Sequence, residues 1–562
     1  MARTAAIGLQ DFGDVIRKNC FYVDKTSFIK EWWENEDSVT LITRPRRFGK
    51  TLAMSMLDYF FSINHKDDQY LFEGLTIWKE EKYQKLQGTY PVIFLSFASV
   101  KSNNFNDTKK SIAYLITQLY QSKRFLLDKE ILEKSDITLF NRITPDMGET
   151  DIVYSLNQLS DFLARYYDSK VLILLDEYDT PLQEAYVNGY WDEMVNFIRG
   201  MFNATFKTNP NLERAVMTGI TRISKESIFS DLNNLEIATT LSDIYEESFG
   251  FTEAEVFCAL EEFGLQDHKQ EVKDWYDGFQ FGGCSNIYNP WSIVHYLRKR
   301  KFAPYWANTS SNGLVNDLIR KSGNSIKEAM EGLLQGKTCK VHINEEIVFN
   351  QLDVERDAIW SLLLASGYLK VVSTGDGWRE RKKYELAVTN FEVLQMFKDL
   401  IAGWFNTKEY YFYDFCDALT AGNIKKMNAV MSDILLKIVS FFDTGTEAFY
   451  HGLTLGLISC IGHNYTVISN PEAGLGRCDT LLEPKYKASN GMILEYKKYD
   501  PVCDKDLKDT VRRALKQVVD KKYSAALEAK GIQRKNIKIY GFAFRGKEVL
   551  IDGGTILQFQ MQ

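Results

Sequence analysis

The sequence predicts an α/β protein: a parallel sheet with helices on both faces in the N-terminal half, and a second, smaller α/β domain at the C-terminal end. Three observations predict it. Val171-Leu-Ile-Leu-Leu175 is a five-residue apolar run ending directly in Asp176-Glu177-Tyr178-Asp179, as expected of a strand buried on both faces of a parallel sheet. An apolar run at Val39, Leu41 and Ile42 leads through a tight loop into Gly49-Lys50-Thr51, and a helical pattern begins at Leu52. Past residue 440, Asp479 opens one strand, and a turn leads to another that carries Glu495-Tyr496-Lys497.

The order strand, loop, Gly-Lys-Thr and helix is what a phosphate cradle needs. N–H groups at the helix start face the anion, Lys50 reaches the β/γ-phosphates, and the Thr51 hydroxyl is a ligand for Mg²⁺. Arg46, Arg47 and Phe48 complete the loop before Gly49. The usual first glycine would fall at Arg44 and is absent, so this stretch alone is also compatible with a basic turn after a buried strand. The acidic strand end shifts the balance. Asp176 is placed to hold Mg²⁺ beside Thr51, and Glu177 to orient or deprotonate an attacking water.

Other elements follow the same logic. Phe28, Ile29, Trp32 and Trp33 fall at helical spacing and read as core. Val92 to Phe97 reads as a strand, Ile112 to Tyr120 as an amphipathic helix, residues 133 to 151 as a polar connection, and Ile152 to Tyr167 as a helix. Asp192 to Phe206 is helical by pattern, and Arg214 to Gly219 is a further strand. Strands alternating with helices imply parallel crossovers. Arg222, just past that last strand, is placed either to stabilise charge at the γ-phosphate or simply to sit in a turn. Thr252 with Glu255 reads as a helix capping box.

Composition sets the outer bounds. The chain has 562 residues, 45% hydrophobic and 25% charged, with a formal net charge of -7. These values suit a globular chain of several domains and argue against a generally basic nucleic-acid coat, although a local basic groove remains compatible. Eight scattered cysteines without a Cys-x-x-Cys pair give no zinc signal and suit a reducing compartment. No signal peptide or membrane span is expected, so the expected location is the cytoplasm.

Taken together, several motifs resemble the bacterial AAA-ATPase-like family of P-loop NTPases. They are Tyr22-Val-Asp-Lys-Thr26, Arg44-Pro-Arg-Arg-Phe-Gly-Lys-Thr51, Leu175-Asp-Glu-Tyr-Asp179, Phe229-Ser-Asp-Leu-Asn-Asn234, Trp275-Tyr-Asp-Gly-Phe279 and Tyr288-Asn-Pro-Trp-Ser292. The resemblance spans about residues 7 to 310, and that family uses the loop form without the first glycine. It implies an ATP-binding domain over 1–260, followed by a helical lid or linker over 261–335.

Residues 336–440 read as winged-helix-like. A helix from Ile359 and a strand at Gly367 to Val371 precede a Gly375-Asp376-Gly377 turn and a return strand at Tyr384 to Val388. Arg379, Arg381, Lys382 and Lys383 beside that turn are either a DNA-touching wing or a solvated face.

In 441–562, Glu447 and His451 lie four apart in a helical stretch. Asp479 precedes a strand, and Glu495 and Lys497 alternate onto one face of the next. Asp479 and Glu495 suit Mg²⁺, and Lys497 would orient or activate a water for phosphodiester attack. A bare Asp…Glu-x-Lys is also compatible with two edge strands bearing surface charge. The whole stretch, however, resembles a PD-(D/E)XK nuclease domain with a restriction-endonuclease-like α/β fold. The resemblance implies Asp479, Glu495 and Lys497 as its core, Glu447 as the helix acid, and Gln517 with Tyr523 behind it. Gly474 to Arg477 fits that pattern; Cys478 stands where the superfamily's name has proline.

The expectation is therefore a bacterial ATPase whose nucleotide state gates a C-terminal Mg²⁺-dependent nuclease. Nucleic acid, with DNA the first expectation, is the partner, and homo-oligomerisation is left open. Defence against foreign DNA suits the architecture. The alternative is a nucleotide-switched nucleic-acid binder or signalling scaffold without nuclease activity.

Overall fold

Five short strands in the N-terminal half pair into one sheet, and the most apolar of them are covered on both sides, as strands of a parallel sheet are. The computed structural model describes residues 3–128, 131–221, 228–229, 232–307, 315–316, 318–319, 322, 324–345, 358–375, 382–404, 410–437, 447–458, 461, 464–486 and 489–559. The chain divides into two compact units: residues 1–320 with 338–393, and residues 321–337 with 394–562. Among the described residues, no helix is long and apolar enough to cross a membrane, and no disulfide joins the cysteines.

In the first unit the strands are β1 (Val39–Thr43), β2 (Val92–Ser96), β3 (Val171–Asp176), β4 (Leu212–Gly219) and β5 (Leu235–Ala238). They run parallel in the order β2-β3-β4-β1-β5. β1 and β3 are buried along their whole lengths. Register aligns Thr43 with Gly219 and Ser96 with Asp176, so the carboxyl ends of β1, β2, β3 and β4 come to one rim. That rim is where loops of a parallel sheet collect ligands. Helices Phe105–Ser122 and Glu149–Tyr167 supply much of the flanking apolar surface, and helix Lys50–Phe61 buries Met54, Leu57 and Phe60. The stretch from Phe28 packs as read, with Phe28, Ile29 and Trp32 buried.

One element departs from the reading. Residues 133 to 151 are not merely a polar connection, because Lys134–Arg142 forms a helix with a Glu133/Asp136 capping box. Only Phe140 is buried on it, so its apolar period is too weak to register, and the capping acids, not the core face, define it.

Beside the phosphate loop, helix Pro290–Lys299 is capped by Asn289, whose side chain accepts from the N–H groups of Trp291 and Ser292. Ser292 in turn donates to Glu392 (2.8 Å), and the Trp306 N–H donates to the other oxygen of Glu392 (2.6 Å). Helix Ala358–Ala365, strand Leu369–Thr374 and strand Lys383–Val388 follow in the expected order, and Cys339–His342 adds a third antiparallel strand. The turn at Asp376 and Gly377, with Arg379 and Arg381, lies outside the described residues, as does Arg222.

The second unit holds a mixed five-stranded sheet. Its order is Tyr465–Ser469, Thr480–Pro484, Gly491–Lys498, Ile537–Arg545 and Glu548–Thr555; only the Gly491–Lys498 and Ile537–Arg545 pair is parallel. Helix Leu507–Asp520 makes that parallel crossover and buries Val511, Ala514, Leu515 and Val518. That helix ends at Asp520, and a separate turn of helix follows at Ala525–Glu528.

Burial raises the Glu392 carboxyl from 4.5 to about 7. Between those values the native state keeps a proton that the unfolded chain has lost, so stability falls as pH rises through that window. We expect Glu392→Gln to remove this contribution. In urea unfolding, the wild-type minus variant stability should fall by on the order of 3 kcal/mol between pH 4.5 and 7.5. A pH-independent difference would show that Glu392 does not titrate in that range.

Candidate active sites

The loop between β1 and helix Lys50–Phe61 is shaped by two left-handed residues, Arg47 (φ 65°) and the N-cap Gly49 (φ 87°). The second is at no steric disadvantage because it is glycine. The first N–H groups of a helix lack intrahelical acceptors, which makes this turn a ready anion site. Lys50 is 4% exposed; its ammonium lies under the loop and donates to the carbonyls of Arg44 (2.9 Å) and Pro45 (3.0 Å). Burial lowers its pKa, against the opposing charges of Glu177, Asp179 and Asp176.

Arg44 explains the absent glycine. Its fully buried guanidinium donates to the carbonyls of Thr43, Ala238, Thr239, Ile244 and Tyr245 and lies 4.7 Å over the Phe281 ring. Burial brings its pKa down to about 9, which leaves it charged at neutral pH. Phe48 anchors the other end of the loop. Its ring packs edge-on against Phe279 and Phe281, and its carbonyl accepts from the Gly250 N–H. The Arg46 carbonyl accepts from Asn289 and Trp306, its guanidinium donates to Gln183, and Arg47 lies over Trp291.

At the rim of the sheet, Asp176 is fully buried. Oδ2 accepts from Thr51 (2.9 Å) and Ser96 (3.3 Å), and Oδ1 from Thr218 (2.6 Å). Burial raises its pKa, although the hydroxyls of Thr218 and Thr51 work the other way. Glu177 takes φ 55°, and its carboxylate accepts from Thr180. Arg46, Arg47, Phe48, Gly49, Lys50, Thr51, Asp176 and Glu177 thus line one cleft of about 490 Å³, within the usual range for small-molecule sites. Sequence reasoning missed Ser96 and Thr218. Their signal was position, each being a hydroxyl residue near the carboxyl end of a strand beside β3.

The second constellation assembles on strand Gly491–Lys498. Alternation places Glu495 and Lys497 on one face and Tyr496 on the other, where it stacks on His451 at 5.0 Å. Asp479 accepts from the Tyr496 N–H (2.8 Å). Glu495 is fully buried and accepts from the Gln517 amide, which also donates to the Tyr523 hydroxyl (3.2 Å). The Lys497 ammonium lies 3.3 Å from Glu447 and 3.4 Å from Glu495. All five residues that the sequence singled out therefore converge.

His451, one turn beyond Glu447, contacts the hydroxyls of Thr480 (3.2 Å) and Ser469 (3.4 Å). Burial lowers its pKa to about 4, so it is neutral at physiological pH and fixes the strand end as a hydrogen-bonding group. Spacing from Glu447 was its signal.

Electrostatically, desolvation raises both acids, and the charge of Asp479 raises Glu495 further. Desolvation opposes the Lys497 ammonium, but Glu495, Glu447 and Asp479 outweigh it and raise its pKa. Among the described residues, no group of three or more His, Cys, Asp or Glu side chains is arranged as a metal cluster. Two carboxylates in a partly dry site fit Mg²⁺, which keeps most of its waters, better than zinc, which wants four close ligands. The Thr51 hydroxyl beside Asp176 fits the same ion.

Comparison with known proteins agrees with this layout. Residues 6–229 match the AAA-ATPase-like family model, described as a predicted AAA-ATPase, and residues 445–553 match that of the PD-(D/E)XK nuclease superfamily. The chain is also 25% identical over 393 residues to an uncharacterized protein in the vnfD 5' region of Azotobacter chroococcum mcd 1, covering 69% of this chain and 67% of that one.

Two loop arginines separate support from ligand contact. Arg44→Ala leaves five buried carbonyls short of a donor and should destabilise the first unit by at least about 3 kcal/mol in urea unfolding. Arg46→Ala removes one half-buried side-chain bond and should change stability by about 1 kcal/mol or less. Equal losses would refute the assignment of Arg44 as the support of the loop.

Proposed function

We propose that this protein, which carries an AAA-ATPase-like domain and a PD-(D/E)XK nuclease-superfamily domain in one chain, binds and hydrolyses ATP and uses the nucleotide state to gate a metal-dependent nuclease. The observation that carries the reading is the convergence of Asp479, Glu495, Lys497, Glu447 and Gln517 around one buried carboxylate.

In the first site, Lys50 exchanges the carbonyls of Arg44 and Pro45 for phosphate oxygens. The N–H groups of the helix start hold the same anion, and Arg46 and Arg47 flank it. Glu177 accepts a hydrogen bond from the attacking water and orients it. Thr51 with Asp176, and Asp479 with Glu495, are the residues that would hold Mg²⁺, which when bound supplies charge stabilisation at the transferring phosphoryl group and the leaving oxygen. Arg222 is retained as a candidate contact to the γ-phosphate.

In the second site, Gln517 fixes one oxygen of Glu495, and the Tyr496 N–H fixes Asp479. Lys497 donates toward the attacked phosphate and its incoming water, and Glu447 sets the position of the Lys497 ammonium. DNA is the proposed substrate, the cytoplasm the proposed location, and defence against foreign DNA a role that suits a nuclease held under nucleotide control. Assembly into a homo-oligomer is compatible with this scheme.

The test incubates the full chain with plasmid and linear DNA plus Mg²⁺ or Mn²⁺, with and without ATP, beside Lys50→Ala and Glu495→Ala. Metal-dependent cleavage should fall by about a hundredfold or more in Glu495→Ala, and Lys50→Ala should abolish the response to ATP. Absence of cleavage in every condition while ATP still binds would favour a nucleotide-switched binder or scaffold instead.

A further inference from the structure

The segment just before Asp479 is built as a clamp with an exposed tip. Glu472–Ala473 pairs antiparallel with Gly476–Arg477, which puts Gly474 and Leu475 at the turn. Gly474 takes φ 53°, and a Cβ there would lie 2.2 Å from the Lys521 carbonyl oxygen, so the two backbones are in direct contact. The Leu475 N–H donates to that same carbonyl (2.7 Å), and the Tyr523 hydroxyl donates to the Arg477 carbonyl (2.8 Å). Bonds from the Cys478 N–H to Pro471 (3.1 Å) and from the Asn470 N–H to Asp479 (2.8 Å) close the base.

Clamped in this way, the hairpin cannot roll over to cover Leu475, whose residue is 67% exposed. A single exposed leucine is ordinary. One held outward by backbone bonds, four residues from a candidate metal carboxylate, gains nothing for folding and is set to meet something outside the chain.

The surroundings say what kind of partner. Arg477, Lys521 and Lys522 are exposed and form no ion pair among the described residues. Elsewhere in this domain Arg512, Arg513 and Lys530 are instead paired with Asp509, Asp504 and Glu483. Unpaired cations beside an aliphatic tip suit a duplex, where an apolar wedge enters the minor groove and cations take the phosphates. Single-strand binders instead offer aromatic platforms, and this tip has none. The hairpin also communicates with the site, since Tyr523 and Gln517 connect Arg477 to Glu495.

We propose that hairpin Glu472–Arg477 is a duplex-DNA probe: Leu475 enters the minor groove, while Arg477, Lys521 and Lys522 contact the flanking phosphates. It thereby selects which phosphodiester lies over Asp479 and Glu495. This rests on the nuclease reading above.

The test measures binding of the full chain to a short labelled duplex carrying 2-aminopurine, in EDTA, across a salt series. Leu475→Ala should bind about tenfold more weakly, with an unchanged salt slope and loss of the 2-aminopurine signal that reports unstacking. Lys521→Gln and Lys522→Gln should each lower the slope by about 0.9. Leu475 is exposed, so its replacement should leave the melting temperature unmoved, which keeps a folding defect from imitating the effect. Wild-type affinity and signal in Leu475→Ala would overturn the proposal while leaving the nuclease reading intact. Failure of the wild type to bind any duplex at low salt would instead overturn both, and capture of an acidic polypeptide at Leu475 with DNA ignored would point to a protein partner.

Discussion

Burying a carboxylate is unfavourable unless the protein supplies donors or a cation, and both candidate sites are organised by that requirement. Asp176 and Glu495 are each fully buried, yet they are satisfied differently. Asp176 receives three hydroxyls, from Thr51, Ser96 and Thr218. Hydroxyls can rotate and can also accept, so the carboxylate is held without being neutralised. Glu495 instead receives an amide from Gln517 and faces the Lys497 ammonium. The first arrangement leaves net negative charge at the sheet rim, where Lys50 and the loop arginines stand. The second keeps an internal cation in the site.

The same requirement explains how a phosphate loop can do without its first glycine. A glycine there lets the backbone turn tightly, but tightness can also be imposed from beneath. Arg44 gathers five carbonyls around one guanidinium, and Phe48 wedges between two rings. The loop is therefore fixed by large buried side chains, and only Gly49 needs the conformational freedom of glycine. A buried arginine has enough donors to serve many acceptors in a fixed fork, which a lysine does not.

What could be read from the chain follows from the range of the interactions involved. Continuous apolar runs such as Val171 to Leu175, and alternation such as that of Glu495 and Lys497, are local signals, and those strands form where the pattern puts them. Glu447, Gln517 and Asp479 lie far apart in sequence; their meeting was carried by resemblance, since no local pattern brings a helix acid to a strand lysine. Ser96 and Thr218 were invisible because a hydroxyl at a strand end has no pattern of its own until strand order is known. The helix at Lys134–Arg142 was missed because it buries a single residue, and its capping acids read simply as polarity.

The two lysines show why similar residues serve different chemistry. Lys50 is bonded to neutral carbonyls that an incoming phosphate would outcompete, because a charge-assisted hydrogen bond is stronger than a neutral one. Its resting partners hold it in place without retaining it. Lys497 lies between two carboxylates, and an ammonium so placed keeps its protons. Its contribution is then to donate and to orient, and removal of a proton from water has to come from a group without that partnership. In the proposed nuclease, Lys497 would therefore position the attacked phosphate, with Glu447 setting its reach.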